Sequence, residues 1–340
     1  MKELLERILD GTDLNRAEAE RLLETLASGT VAPELIGGTL TGLRAKGESA
    51  DEIAGFANAM RRLAVRPDLS AESAIDIVGT GGDGSGSVNI STGAALLTAA
   101  CGLPVIKHGN RSISSRCGSA DVLAQLGLNL PLDEQQAGRC LARTGFTFLF
   151  APHYHPAMAA IAPVRRSLGI RTVFNILGPL TNPAEPSYNL IGAYAEPVAE
   201  LMAHALSRLN IVRAFVVHGA EGWDEATPVG PFVIYDVTPN RVTRHVRSPE
   251  SYGVPPCATS DLLGDDAKHN AAALADVFNG AAGPHRDTLL INTSLALEVA
   301  GYVNGPREGV DVARRAVDSG AASTLLTRLK DFGSSEAPDV

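Results

Sequence analysis

Cysteine is scarce and scattered. Cys101, Cys117, Cys140 and Cys257 are the only four in 340 residues, and no two of them form a CxxC pair. Neither a zinc site nor a disulfide framework is indicated, and the four read as reduced thiols. Long apolar runs are also missing: none approaches the roughly 20 residues that span a bilayer. The N-terminal MKELLERILDGTDL is amphipathic and acidic rather than signal-like, so a cytoplasmic protein without a membrane partner is expected. Net positive charge is absent as well. A formal net charge of −9 at pH 7 argues against a surface built for nucleic acid, although a local basic cluster still suits a small phosphate ligand. Solenoid repeats and low-complexity tracts are lacking, and only the terminal GSSEAPDV reads as disordered. What remains is a chain long enough for one large α/β core and a smaller companion.

A more local absence is the most informative. Asp and Glu number 38 in the chain, so about four would fall by chance between Gly84 and Ala120, and none does. Just before and within this acid-free stretch lies GTGGDGSGSVNISTG, with glycines at 79, 81, 82, 84 and 86. Glycines let main-chain N–H groups approach an anion closely, and Ser85, Ser87, Asn89, Ser91 and Thr92 add short side-chain donors. The helix predicted over ISTGAALLTAAC would direct its positive end at the same place. Gly79, Gly81 and Gly84 match GxGxxG, but the acidic residue that a dinucleotide fold wants about twenty positions on is denied by the acid-free run. No Gly-Lys-Ser/Thr follows, so this is not a Walker A loop. Together with the downstream KHGNR, Lys107 to Arg111, the pattern indicates a polyanion site.

Residues 1–66 carry only helical periods, each closed by glycine or a turn. From Ala74 the texture changes to short strands, AIDIVGT, LPVIKHG, FTFLFAP, NLIGAY and RAFVVHG, mostly followed by helical periods. This alternation predicts a mainly parallel sheet, with ligands bound outside the carboxyl ends of its strands. PFVIYDV and RVTRHV, joined by the turn TPN, predict an antiparallel pair. FNILGPLTNPA, Phe174 to Ala184, breaks the rhythm and reads as a hinge or crossover. The expected division is a small helical domain over 1–66, completed by a segment around 166–190, and a large α/β domain over 74–340.

In this order and spacing, GTGGD, NIST, KHGNR, CGSADVL, VRRSLG, FNILGPLTNP and GWDE resemble the anthranilate phosphoribosyltransferase family over nearly the whole chain. The resemblance implies a nucleoside phosphorylase/phosphoribosyltransferase-like fold and usually a homodimer. It implies transfer of the phosphoribosyl group of PRPP to anthranilate with release of pyrophosphate, in tryptophan biosynthesis. Two anion subsites and Mg2+ would be needed for such a donor. By resemblance, Gly79, Gly82 and Asp83 surround the pyrophosphate and ribose. Ser87, Asn89, Ile90, Ser91 and Thr92 continue the PRPP site, with Ser91 also touching metal. Lys107 supplies a point charge, and His108, Gly109, Asn110, Arg111, Ser112, Ile113, Ser114 and Ser115 with Ser119 close round the phosphates. Asp224 and Glu225 correspond to a magnesium-binding pair, though Trp223 before it and ATPVGPFVIYDV after it depart from the expected flanks.

An aromatic amine with an ortho carboxylate calls for an arginine and a channel of flat or small side chains. The resemblance assigns Arg165 to the carboxylate, with Asn110, His108 and Gly79 as further contacts and Pro152 and His155 as tunnel lining. Arg166 should point elsewhere, since neighbours on a helix do not share a face. Cys117 has no histidine partner in its motif and reads as packing. Displacement at ribose C1 needs no enzyme nucleophile, and His108 could accept the amine proton or only hydrogen-bond. The alternatives are a pyrimidine-nucleoside-phosphorylase-like enzyme, another acceptor amine, or a non-catalytic nucleic-acid-binding relative.

Overall fold

The computed structural model describes residues 1–70, 72–111 and 117–336. Four helices open the chain: α1 (Lys2–Leu9), α2 (Arg16–Ala27), α3 (Pro33–Lys46) and α4 (Ala50–Leu63). Two of them start on reciprocal caps. In α2 the Glu18 N–H donates to Asn15 Oδ1 at 3.0 Å while Glu18 Oε2 accepts from Asn15 N–H at 2.9 Å, and Ser49 and Glu52 do the same for α4. The two helices cross closely because α4 carries Gly55 at the crossing, where a Cβ would overlap the Arg16 carbonyl. No helix among the described residues is long and apolar enough to cross a membrane.

Seven strands follow: β1 (Ile75–Gly79), β2 (Val105–Gly109), β3 (Phe146–Phe150), β4 (Tyr188–Gly192), β5 (Arg213–His218), β6 (Phe232–Thr238) and β7 (Arg241–Arg247). They form one sheet in the order β3-β2-β1-β4-β5-β6-β7. The first five are parallel and β6 and β7 antiparallel, as the runs and the TPN turn predict. Between and after them come α5 (Ile90–Ala100), α6 (Ser119–Gln125), α7 (Glu134–Thr144), α8 (Ala151–Tyr154), α9 (Ala162–Leu168), α10 (Phe174–Leu177), α11 (Glu196–Leu206), α12 (Ala267–Phe278), α13 (Pro284–Val299), α14 (Pro306–Asp318) and α15 (Ala321–Ser335). Within the terminal GSSEAPDV, Gly333 to Ser335 are helical, not disordered, because Phe332 anchors the last turn in the core; residues 337–340 lie outside the described residues.

Apolar side chains gather in two clusters, one on each face of the sheet. One holds Ile75, Ile77, Leu96, Val105 and Phe148 with α12 to α15. The other joins Leu22, Leu40 and Phe56 of the N-terminal helices to Phe174, Ile176, Leu177 and Leu180, and to Ile191 and Val216 of the sheet. Buried Arg61 of α4 donates Nε to the Leu180 carbonyl at 2.8 Å. The segment read as a hinge thus packs into the helical bundle. Because β1, β2 and β3 run outward on one side while β4 and β5 lie on the other, the strand order reverses between β1 and β4, the place where open α/β sheets bind ligands.

Candidate active site

Gly79 and Gly192 end β1 and β4 in mutual register. Their missing side chains leave a notch at the reversal point, and the loop after β5 fills it. A Cβ on Gly79 would overlap the Asp224 carboxylate, and one on Gly192 would overlap the Asp224 main chain. Asp224 is 5% exposed, and its Oδ2 accepts the Gly81 N–H at 2.6 Å. Four glycines of the loop after β1, at 81, 82, 84 and 86, have φ between +64° and +79°, the left-handed region that side chains disfavour. That curl returns Asp83 toward Asp224, whose N–H donates to Asp83 Oδ2 at 3.4 Å.

Oxygens of Asp83, Asp224 and Glu225 all lie within 4.8 Å of one another. Burial and the facing Asp83 push the Asp224 carboxyl up to about 6. Burial and Asp224 push Glu225 well above the usual range, with Lys107 opposing the shift. Glu225 Oε2 is buried with no hydrogen-bond partner among the described residues. Three acids crowded together, with one orphaned oxygen, form an all-oxygen set that suits a hard divalent cation such as magnesium.

Lys107 is 1% exposed. Its Nζ donates to the Ile77 carbonyl at 2.5 Å and to Ser91 Oγ, on the first turn of α5, at 3.5 Å. Burial lowers its pKa to about 8, opposed first by the charge of Asp76 and then by Glu225 and Asp224. Successive strand residues face opposite ways, so His108 points to the other side of the sheet. There it stands edge-on to His155, with ring centroids 5.0 Å apart. Both rings are buried. Burial depresses both, His108 well below the usual value and His155 to about 4, so each is neutral at pH 7. His108 Nε2 has no hydrogen-bond partner among the described residues.

Ser87 and Asn89 lie just before α5 and Ile90 and Thr92 in its first turn, where Ile90 and Thr92 are wholly buried. The Asn89 side chain donates to the Cys117 carbonyl at 3.4 Å and accepts from Asn270 at 2.9 Å. Gly109, Asn110 and Arg111 continue from β2, and Ser119 opens α6. Ser112, Ile113, Ser114 and Ser115 lie outside the described residues. Arg165 stacks 5.1 Å from the centre of the Phe174 ring, and among the described residues no carboxylate pairs with it. Arg166 is exposed. Pro152, in α8, is exposed, whereas His155 is buried beside His108. Cys117 is buried and its thiol is pushed up to about 11 by burial and Asp121, in keeping with packing.

The family described as "Glycosyl transferase family, helical bundle domain" matches residues 2–64, and "Glycosyl transferase family, a/b domain" matches residues 71–323. An anthranilate phosphoribosyltransferase of Afipia carboxidovorans is 46% identical over 329 residues, covering 96% of this chain and 97% of that protein. The chain belongs to the anthranilate phosphoribosyltransferase family. Another member, from Methylobacterium nodulans, is 47% identical over 328 residues, 96% of this chain and 97% of its own. Among solved structures, the Thermus thermophilus enzyme superposes with a TM-score of 0.91 at 38% identity, covering 97% of this chain and 99% of its own. The Saccharomyces cerevisiae enzyme in complex with PRPP and Mg gives 0.88 at 28% identity, covering 97% of each chain. Family membership makes the chain a glycosyltransferase with a helical bundle and a mostly parallel α/β domain.

Three features of the site were not read from the sequence. Asp83, expected around the pyrophosphate and ribose, also stands with the Asp224-Glu225 pair; its place as the sole acid of the glycine loop is the available signal. Arg171 donates to the Gly82 carbonyl and lies 4.0 Å from the centre of the Tyr194 ring. Asp76 and Asn182 are buried beside β2 and bond to each other; Asn182 lies in FNILGPLTNPA, but neither local sequence marks this contact.

Proposed function

We propose that this protein transfers the 5-phosphoribosyl group of PRPP to anthranilate, giving N-(5-phosphoribosyl)anthranilate and pyrophosphate in tryptophan biosynthesis. The observation that carries this is the convergence, at one carboxyl edge of the sheet, of a glycine loop, a buried lysine and three acids. Gly79, Gly82, Asp83, the start of α5, Lys107 to Ser115 and Ser119 form the donor site. Asp83, Asp224 and Glu225 would hold Mg2+, with Ser91 as a further contact beside Lys107. When bound, the ion supplies charge neutralisation for a pyrophosphate leaving group.

The acceptor site is Arg165 with Gly79, His108, Asn110, Pro152 and His155. The Arg165 guanidinium, fixed on Phe174, is free to take the anthranilate carboxylate in a bidentate grip. The C1–O bond to pyrophosphate breaks as the C1–N bond forms, and the nitrogen then sheds a proton. An aniline nitrogen is already neutral at pH 7, so positioning and charge stabilisation supply most of the acceleration. His108, kept neutral by burial and with Nε2 unpartnered, can accept that proton. The helical unit of residues 1–66, completed by the segment around 166–190, closes the acceptor tunnel over the donor loop.

The enzyme works as a cytoplasmic homodimer. A groove on the helical bundle, lined by Gly37, Gly38, Gly42, Ala160, Pro163 and Val164, supports that assembly, with Leu9 62% exposed at its edge. The test of function is the loss of anthranilate fluorescence on mixing the protein with PRPP and Mg2+. Metal-dependent consumption supports the proposal; PRPP binding without consumption would mean that the acceptor is another amine.

A further inference from the structure

The ladder between β1 and β2 opens after its first pair. Ile75 is in register with Val105, and its N–H meets the Pro104 carbonyl at 3.0 Å. By contrast, β1 stays paired with β4 out to Gly79 and Gly192, and β2 with β3 out to Gly109 and Phe150. In a regular parallel ladder continuing from Ile75 and Val105, Ile77 N–H would donate to the Ile106 carbonyl and His108 N–H to the Ile77 carbonyl. Side chains take these places instead. Asn182 Nδ2 donates to the Ile106 carbonyl at 2.8 Å. Asp76 Oδ1 accepts the His108 N–H at 3.2 Å. Lys107 Nζ donates to the Ile77 carbonyl. Asn182 Nδ2 also donates to Asp76 Oδ2 at 2.9 Å, and the Asp76 charge acts on Lys107, so that the three side chains form one plug.

Asp76, Lys107 and Asn182 are each no more than 1% exposed. Burying a carboxylate, an ammonium and an amide is costly even when they are paired, and a continuous main-chain ladder would need none of them. Their effect is geometric. The plug stands between the opened ends of β1 and β2, the strands that carry the glycine loop and the Gly109–Arg111 turn. An ammonium has three protons. Ile77 and Ser91 take two of those on Lys107, which leaves one for an anion between the loops.

We propose that Asp76 and Asn182 are positioning residues that hold β1 and β2 apart, so that the two following loops grip the phosphates of the donor at the correct separation. This rests on the phosphoribosyl-transfer function proposed above. The test compares Asp76→Asn and Asn182→Ala with the parent, well below their melting temperatures. The expected result is a PRPP KM raised about tenfold or more and an anthranilate KM raised clearly less, since Gly79, His108 and Asn110 ride on the same strand ends while Arg165 does not. A merely structural role would lower the active fraction, and hence kcat, without that split. A PRPP KM within about twofold of the parent in a folded variant overturns the proposal. So do losses shared equally by both substrates. Should Asp76→Asn not fold, the milder Asn182→Ser carries the same comparison.

A second readout needs no turnover. In a crystal structure of the Asn182→Ala or Asn182→Ser protein, the proposal expects the Ile77 N–H to close on the Ile106 carbonyl. A gap that stays open in that variant overturns it. If the parent neither consumes anthranilate nor binds PRPP, the transfer function fails by itself, and the closing or non-closing of the gap still decides whether the plug splays the strands.

Discussion

Gly79 and Asp224 are in such close contact that the strand residue has room for no side chain at all. The acid cluster therefore depends on a glycine far away in sequence. Gly79→Ala should force the carboxylate aside, because the β1 main chain is fixed by its ladder to β4. A fall in kcat/KM of about 100-fold, with a loss of about 1–3 kcal/mol of stability from overpacking, is expected. Gly192→Ala should cost more stability, since it meets main chain rather than a carboxylate. Steady-state kinetics and urea denaturation of the two variants give the comparison, and the reverse ranking would contradict this packing.

The two subsites should separate kinetically. Arg165→Ala should raise the anthranilate KM by about tenfold and leave the PRPP KM nearly unchanged. Asp224→Asn combined with Glu225→Gln should lower kcat by about 100-fold or more at ordinary magnesium, and Asp83→Asn should do so in part. Equal effects on both substrates from both changes would undo the assignment.

Magnesium should stabilise the protein in a pH-dependent way. The Asp224 carboxyl titrates near 6 in the fold against 3.8 as its ordinary value, so the folded state binds more protons between those limits. Stability of the metal-free protein should fall as pH rises from about 4 to 6 and remain lowered above that. The ion binds the ionised acids, so its gain in melting temperature should be larger at pH 7.5 than at pH 5. Thermal melts with and without Mg2+ at the two pH values check this; equal gains would mean that the cluster is not the binding site.

Arg171 links three places. Its guanidinium holds the Gly82 carbonyl and stacks on Tyr194, while its own carbonyl accepts from Arg44 of α3 at 2.6 Å. Arg171→Ala should free the glycine loop, raising the PRPP KM by about threefold to tenfold with little change in melting temperature. Limited proteolysis should cut the variant faster within residues 80–86, and unchanged cleavage would mean that the contact does not restrain the loop.

Most of the fold could be read locally. Short apolar runs bounded by turns mark the seven strands described, and the helical periods mark α1 to α5, because each signal lies within a dozen consecutive residues. The glycine loop and the Asp224-Glu225 pair were legible for the same reason, as chemistry concentrated in a short stretch. Asp76 and Asn182 were not. Asp76 sits in IDIVG, where its alternation resembles any polar strand position, and its role exists only because β2 peels away beside it. Arg171 was hidden in the same way, since its partners Gly82 and Tyr194 come from loops after two other strands. Arg165 was legible through a family motif, but not its stacking on Phe174.

The union of Asp83 with Asp224 joins positions 141 residues apart, and the notch that admits the second belongs to a third segment, β4. During synthesis, a chain that has left the ribosome only as far as α5 carries the complete glycine loop without its opposing acids. Even one extended through β4 has the seat but not its occupant. On the proposed role of these acids, the place for a divalent cation is completed only once β5 has paired and its loop has dropped into the notch between β1 and β4.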